Sequence, residues 1–340
     1  MPKKALITGI TGQDGHFLTK LLLEKGYEVH GLARRNSQMS IGTLQHLDPV
    51  DRAKVKIHWG DLLDSPFVTQ LIRTYLFDEI YHLAAQSFVG LSFHNPQATY
   101  DANIGGTMNV VNAVKEHSQR TRVYFAATSE LFGKAQAVPQ NEATPFYPRS
   151  PYAISKLAAF WTIKNYREAY GLYLTNGILF NHESEHRGPE FVTRKIAMAA
   201  ARIAKGDAEP MRIGFMDAKR DWGFAGDYVE GMWRMLQQSE PDDFVLATGQ
   251  TRTVREFIER AFAHAGIPIR WEGMGQEEIG VNTGTGARVV EVDPVYFRPT
   301  EVDLLIGDSA KARTAMGWAP QLSFDDLVAR MVDAELKRLP

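Results

Sequence analysis

Apolar residues in the first half of the chain come in short bursts, each followed by a stretch with helical spacing. Lys4-Ala5-Leu6-Ile7-Thr8 is one such burst, and Phe17, Leu18, Leu21 and Leu22 then recur at helical intervals up to Gly26. Similar runs follow at Glu28 to Ala33, Val55 to Trp59, Glu79 to Leu83 and Val123 to Ala127, with another from Leu172 to Asn181. Short, nearly continuous apolar runs suit strands buried on both faces, and their alternation with helices predicts a parallel sheet covered on both sides. The expected fold is α/β, a doubly wound (Rossmann) parallel sheet with a smaller, discontinuous α/β substrate-binding lobe. After Asn181 the pattern changes to helices alternating with polar loops, among them a Gly-rich stretch, Gly273 to Gly286, expected to be mobile. Asp242 to Gly249 reads as a strand that rejoins the sheet. The boundaries follow: 1–181 and about 217–252 for the nucleotide-binding domain, about 182–216 and 253–340 for the second lobe.

Composition narrows the class. The 340 residues are 44% hydrophobic and 23% charged with net charge −2, ordinary for a soluble enzyme. No basic stripe suggests a nucleic-acid surface. The apolar segment Ala197 to Ala204 is interrupted by Arg202, and no run approaches transmembrane length. With no cysteine, disulfides, thiolate catalysis and Cys-ligated metals are excluded. Met1-Pro2-Lys3-Lys4 enters a strand at once, which leads to the expectation of no targeting peptide and a cytoplasmic location.

Candidate chemistry lies at the carboxyl ends of the strands, where open α/β sheets bind ligands. Gly9-Ile10-Thr11-Gly12-Gln13-Asp14-Gly15 joins the first strand to the first helix. Glycines spaced three apart permit a tight turn, close approach to a pyrophosphate and helix–sheet packing, with the helix N-terminus facing the phosphate charge. The second strand ends in Arg34-Arg35, where an NAD site usually carries an acid for the ribose hydroxyls; arginine favours NADP through its 2′-phosphate. Asp61 and Leu62 at the third strand end are placed for adenine. Small residues in Leu83-Ala84-Ala85-Gln86-Ser87 at the fourth let the cofactor lie close.

The fifth strand ends in Thr128-Ser129-Glu130, and a helical pattern opens at Tyr152-Ala153-Ile154-Ser155-Lys156. Tyr152 and Lys156 share a helix face one turn apart. A phenol ionises near pH ~10, and a neighbouring ammonium lowers that value, so the pair could exchange a proton with an alcohol. His182-Glu183-Ser184-Glu185-His186 matches H-E-x-x-H, but zinc binding needs that motif on a helix. Here it follows a strand and precedes Gly188-Pro189, so no metal is expected.

Together, Gly9/Gly12/Gly15, Thr128-Ser129-Glu130 and Tyr152…Lys156 resemble the extended short-chain dehydrogenase/reductases. Longer strings narrow the resemblance, across essentially the whole chain, to the GDP-mannose 4,6-dehydratase family. They include Ala84 to Gly90, Thr144 to Tyr152, Gly177 to Ser184, Phe191 to Lys195, Asp217 to Gly223 and Arg298 to Asp303. The resemblance implies that Thr128 hydrogen-bonds the sugar 4-hydroxyl, that Tyr152 removes its proton, and that Lys156 lowers the tyrosine pKa. It implies that Glu130 takes the C5 proton of a 4-ketone before water leaves C6. His182 and Arg187 are implied to lie on the cofactor beside Tyr152 and Lys156. Ser87, Glu130, Asn181, Lys195, Arg220, Arg298 and Glu301 are implied contacts to a GDP-sugar, with arginines suited to its diphosphate. The Arg34-Arg35 loop is implied to join subunits into a tetramer or dimer.

The chain departs from the family pattern at Glu185-His186, where proline and a variable, often basic residue are usual. It departs also at Ala153 and Ser155, usually Gly and Ala, and at Asn103, where an acid is common. The first departure leaves a GDP-manno-heptose as an alternative sugar with the same mechanism. A nucleotide-sugar 4-epimerase or reductase is a further alternative, against which Glu130 argues.

Overall fold

The computed structural model describes residues 2–35, 37–297 and 304–339. Asn36 and the expected substrate contacts Arg298 and Glu301 lie outside the described residues.

The apolar bursts form strands β1 (Lys4–Thr8), β2 (Glu28–Ala33), β3 (Lys56–Trp59), β4 (Glu79–His82), β5 (Arg122–Ala126) and β6 (Leu174–Leu179). Three short strands follow a turn further on: β7 (Asn181–Glu183), β8 (Met211–Ile213) and β9 (Lys219–Arg220). Then come β10 (Trp222–Phe224), β11 (Phe244–Leu246) and β12 (Arg252–Thr253). Seven strands make one parallel sheet in the order β11-β6-β5-β4-β1-β2-β3, so Asp242 to Gly249 does return a strand to it. The order reverses direction between β1 and β4, which opens a crevice at their carboxyl ends.

Helices cover both faces. In chain order the first seven are α1 (Gln13–Glu24), α2 (Pro49–Ala53), α3 (Ser65–Tyr75), α4 (Val89–His94), α5 (Pro96–Tyr100), α6 (Gly106–His117) and α7 (Pro151–Tyr170). The rest are α8 (Val192–Ala204), α9 (Ala225–Met235), α10 (Val254–His264), α11 (Ala310–Met316) and α12 (Phe324–Arg338). Helices α3, α6 and α7 pack one apolar layer through Val68, Ile72, Val111, Val114, Phe160 and Ile163. On the other face α1, α9 and α11 do so through Leu18, Leu22, Met232, Met235, Ala312 and Met316. Helix α7 starts where it does because Pro151 occupies its first turn and the Ser150 hydroxyl accepts from the Ala153 amide. It stops at Gly171, whose φ of +65° closes the last turn.

A third apolar cluster unites α8, α10 and α12 around Trp222, Phe257 and Met331. Here the sequence expectation of helices and polar loops needs correction. Strands β13 (Ile269–Glu272), β14 (Ile279–Asn282) and β15 (Arg288–Val292) form a second sheet with β8, in the order β13-β14-β15-β8. Part of the Gly-rich stretch is therefore strand β14. Gly280 lies in its middle, where an added Cβ would come within 3.0 Å of Val290 and 3.1 Å of Ile269. Glycine there serves close strand contact, which in sequence is indistinguishable from a loop signal.

Among the described residues, no helix is long and apolar enough to cross a membrane.

Candidate active site

A cleft of about 1180 Å³ opens over the crevice between β1 and β4 and runs on beneath α8 and β8. Its size exceeds the usual volume of a single small-molecule site, roughly 300–1,000 Å³, and suits two ligands side by side. Gly9, Gly12, Gln13, Asp14 and Gly15 form one wall. Gly9 has φ +72°, and an added Cβ would meet Ala84 at 2.8 Å; at Gly15 it would meet the Ile10 carbonyl oxygen at 2.2 Å. Neither position accepts a side chain, so the turn keeps its backbone open and α1 stays pressed to the sheet. The residues thus fit a dinucleotide: a bare backbone cradle ends at the N-terminus of a twelve-residue helix.

Leu83, Ala85 and Ser87 line the same cleft at the end of β4. Thr11, Ala84 and Gln86 adjoin cleft residues in sequence without lining the cleft. Thr11 gives its carbonyl oxygen to the Thr43 amide, and Ala84 donates its amide to Thr8. Arg34 and Arg35 are exposed at the end of β2, and Asp61 and Leu62 follow β3. These four stand along the same carboxyl edge but outside the cleft wall.

The reactive cluster sits at the ends of β5 and α7. Thr128, Glu130, Tyr152 and Lys156 all line the cleft. Thr128 is extended, and its hydroxyl accepts from the Glu130 amide at 3.2 Å, which turns the chain and presents the carboxylate. Burial pushes the Tyr152 pKa up to about 12, opposed by a hydrogen bond with the Thr128 side chain; the nearby Glu130 carboxylate raises it further. Burial brings the Lys156 ammonium down to about 7. Its Nζ donates to the Ala126 carbonyl oxygen at 2.8 Å and lies 4.7 Å over the Phe125 ring. The ammonium is thus anchored at the strand end that leads into Thr128.

Asn181, His182, Arg187, Lys195 and Arg220 line the opposite side, which β7, the turn after it, α8 and β9 supply. His182 is held on both sides of its ring. Its Nε2 meets Asp14 Oδ2 at 2.9 Å, its Nδ1 meets the Phe180 carbonyl oxygen at 2.8 Å, and its face stacks on Tyr228. Burial works to lower its pKa, but the Asp14 carboxylate and these hydrogen bonds together raise it, and Asp14 is lowered in turn. Both ring nitrogens are occupied, so His182 braces the Gly-rich turn to β7. Gln13 adds to the brace by donating to the His182 carbonyl at 3.0 Å and accepting from Ser184 at 2.8 Å. Arg187 lies 3.6 Å over the Phe191 ring, and Lys195 3.4 Å over that of Tyr296.

Glu185 and His186 do not line the cleft. The Glu185 carboxylate pairs with Arg330 of α12 through two bonds of 2.7 and 2.6 Å. The His186 ring packs with its centroid 4.2 Å from that of His16 on α1 and 5.0 Å from that of His46. The H-E-x-x-H segment is not helical: His182 and Glu183 lie in β7, which pairs with β10, and Glu185 and His186 form a turn.

The sequence reading missed part of the wall. Gly214, Phe215, Val254 and Tyr296 enter the cleft from elements that read as polar loops. Gly214 and Phe215 follow the three-residue strand β8, Val254 opens α10 and Tyr296 closes a single tight turn, and none of these short features carries a periodicity that marks the cleft.

A seven-stranded parallel sheet, a Gly-rich turn at its switch point and a Tyr–Lys pair beside a strand-end threonine define an extended short-chain dehydrogenase/reductase. A solved UDP-glucose 4-epimerase from Bifidobacterium longum has this fold with a TM-score of 0.83, at 21% identity over 98% of each chain. Residues 6–331 match the family described as GDP-mannose 4,6 dehydratase, and the chain belongs to that family. A GDP-mannose 4,6-dehydratase of Sinorhizobium fredii is 52% identical over 99% of this chain and 97% of its own. A human GDP-mannose 4,6 dehydratase is 51% identical over 98% and 91%.

Proposed function

We propose that this chain converts GDP-mannose to GDP-4-keto-6-deoxymannose with loss of one water, using an NADP that is regenerated in each cycle. The observation that carries the reading is the meeting of Glu130 with Thr128 and Tyr152 in one cleft. A reductase or epimerase needs the hydroxyl and the phenol, but only elimination needs a carboxylate beside them.

When bound, the nicotinamide supplies a positive charge beside Tyr152, an acceptor for hydride from C4 and a donor of that hydride to C6. Thr128 holds the sugar 4-hydroxyl, and the Tyr152 oxygen takes its proton as the 4-ketone forms. The ketone acidifies the C5 hydrogen; Glu130 removes it and passes the proton to the departing C6 hydroxyl, which leaves as water. Tyr152 then returns its proton to C5, so atoms and electrons balance within the sugar.

Residues 1–181 and about 217–252 form the cofactor-binding part in this reading, and 182–216 with 253–340 the sugar-nucleotide part. Residues of α11 and Trp318 pack with the former. Arg34 and Arg35 support NADP over NAD, because their exposed guanidinium groups stand where a 2′-phosphate would reach. Asn181, Lys195 and Arg220 line the half of the cleft assigned to GDP, and Ser87 borders the sugar. The placement of Glu185 and His186 away from the cleft supports mannose, since neither shapes the sugar pocket. A cytoplasmic homo-oligomer, tetramer or dimer through the Arg34-Arg35 loop, completes the proposal.

Glu130→Gln tests it. The variant should fold and bind NADP yet lose elimination by at least about a hundredfold. Turnover equal to the wild type would remove Glu130 from the reaction.

A further inference from the structure

A line of buried polar side chains runs beneath the cleft without lining it. The Ala84 amide donates to Thr8 Oγ1 at 3.2 Å, and that hydroxyl lies 2.8 Å from His82 Nδ1. His82 Nε2 lies 3.1 Å from Thr107 Oγ1, which donates to the Asn103 carbonyl oxygen at 2.6 Å. The Thr107 proton is therefore committed to Asn103, so its oxygen must accept from His82. That fixes the imidazole with its hydrogen on Nε2 and leaves Nδ1 to accept from Thr8. Every group along the line is satisfied in one direction only. A charge on His82 is opposed by burial and by Lys156, which hold its pKa down at about 3.

Asn103 sits in a π-helical turn, Asp101–Gly105, whose extra residue turns its side chain inward; it is 2% exposed. Its Oδ1 accepts from the Gln86 amide at 2.8 Å, and its Nδ2 donates to the Gln86 carbonyl at 3.1 Å. The same Nδ2 donates to Ser155 Oγ at 2.9 Å, and Ser155 donates to the Tyr152 carbonyl at 2.7 Å. One amide thus grips the backbone between the cleft residues Ala85 and Ser87 at two points, and reaches the helix turn that carries Tyr152. Asn103 and Ser155 thus bond to one another across 52 residues of sequence.

We propose that Asn103 and Ser155 are a pair of positioning residues that lock the 84–88 turn to α7 and so set Tyr152 over the reacting sugar. The proposal rests on the reading of Tyr152 as the proton-transferring group. Its physical basis is the double demand of the reaction: hydride leaves one carbon and returns to another two bonds away. A displacement of about 1 Å can cost on the order of a hundredfold in such a step. Neither residue lines the cleft, so the effect acts through the spacing of two walls.

The test is a double-mutant cycle with Asn103→Ala, Ser155→Ala and both, each loaded with NADP. Asn103→Ala should lower kcat by about tenfold or more while the KM for GDP-mannose stays within about twofold. Reduced nicotinamide should accumulate in steady state, because return of hydride to C6 suffers with the abstraction from C4. Ser155→Ala, whose smaller side chain fits the same buried space, should do the same by about threefold, and the double variant should be no worse than Asn103→Ala. Additive effects, or a lowered Tm with unchanged kcat and no reduced nicotinamide, would overturn the proposal. NADP affinity gives a readout independent of the sugar, because Ala85 borders the cofactor cradle. It should weaken in Asn103→Ala, again with no further loss on adding Ser155→Ala. Wild-type protein that fails to dehydrate GDP-mannose would sink the substrate reading alone; the cycle in NADP affinity would then decide the pair, with additivity counting against it.

Discussion

Lys156 donates its ammonium to the carbonyl oxygen of Ala126, the last residue of β5, and so ties the reactive helix to the strand end that leads into Thr128. The bond brings together residues 30 apart in sequence. It is made by a lysine that burial holds at about 7, far below its ordinary 10.5. A cation kept in such surroundings costs folding free energy, because water solvates it better than one carbonyl and one ring can.

Lys156→Met should therefore stabilise the protein while disabling it. At pH 7 the unfolded chain gains a proton on Lys156 that the folded chain holds only in part, so the wild type carries a penalty that methionine removes. We expect a gain of about 1–2 kcal/mol in urea unfolding after loss of the Ala126 bond is deducted, with dehydration reduced at least about a hundredfold. A variant both less stable and fully active would contradict this account of the lysine.

Acid should destabilise the fold through its buried imidazoles. Burial first of all lowers the pKa of His58 to about 4, of His82 to about 3 and of His186 to about 4, from 6.5. Below pH 6.5 the unfolded chain takes up protons that these three refuse in the fold. Stability should hold above pH 6.5 and fall steadily towards pH 4. His182 has the opposite sign: its raised value favours the fold below 6.5 and that favour is lost as pH rises through the folded value. His186→Gln should flatten the acid slope by about one proton, measured by urea unfolding from pH 7 to 4. An unchanged slope would mean that His186 does not titrate with unfolding.

The Arg34-Arg35 prediction concerns the cofactor. Replacing both with alanine should weaken NADP by about tenfold or more and leave NAD nearly unchanged, since only the former offers a phosphate for a guanidinium to grip. Isothermal titration with each dinucleotide measures it. Equal losses for the two would assign the arginines to another task.

Glu185→Ala should cost stability without changing sugar choice. Its pairing with Arg330 is partly exposed, so about 1 kcal/mol or less is expected. The ratio of kcat/KM for GDP-mannose over a GDP-manno-heptose should stay as in the wild type. A shifted ratio would bring Glu185 into the sugar pocket.

The sheet was legible because its signals are local. Lys4 to Thr8 holds the apolar run Ala5-Leu6-Ile7 and is followed by Gly9, and the same rule located β2 to β6. The cleft follows from those strand ends, which is why Gly12, Thr128, Glu130 and Tyr152 can be grouped from sequence alone. The second sheet was not legible. Strand β8 has three residues, and β14 contains Gly280, kept for contact with Val290 yet read as a loop signal. The polar line from Thr8 through His82 and Thr107 to Asn103 was equally hidden, because partners 74 and 25 residues apart leave no spacing rule. His182 and Lys156 line the cleft, but their partners Asp14 and Ala126 are visible only in the fold.

The most direct measurement is mass spectrometry of GDP-mannose after incubation with the purified protein and NADP, with no other oxidant or reductant. The account predicts a product lighter than the substrate by one water, with NADP unchanged in amount at the end. An unaltered mass, with NADP demonstrably bound, would contradict it and return the cleft to epimerase or reductase chemistry.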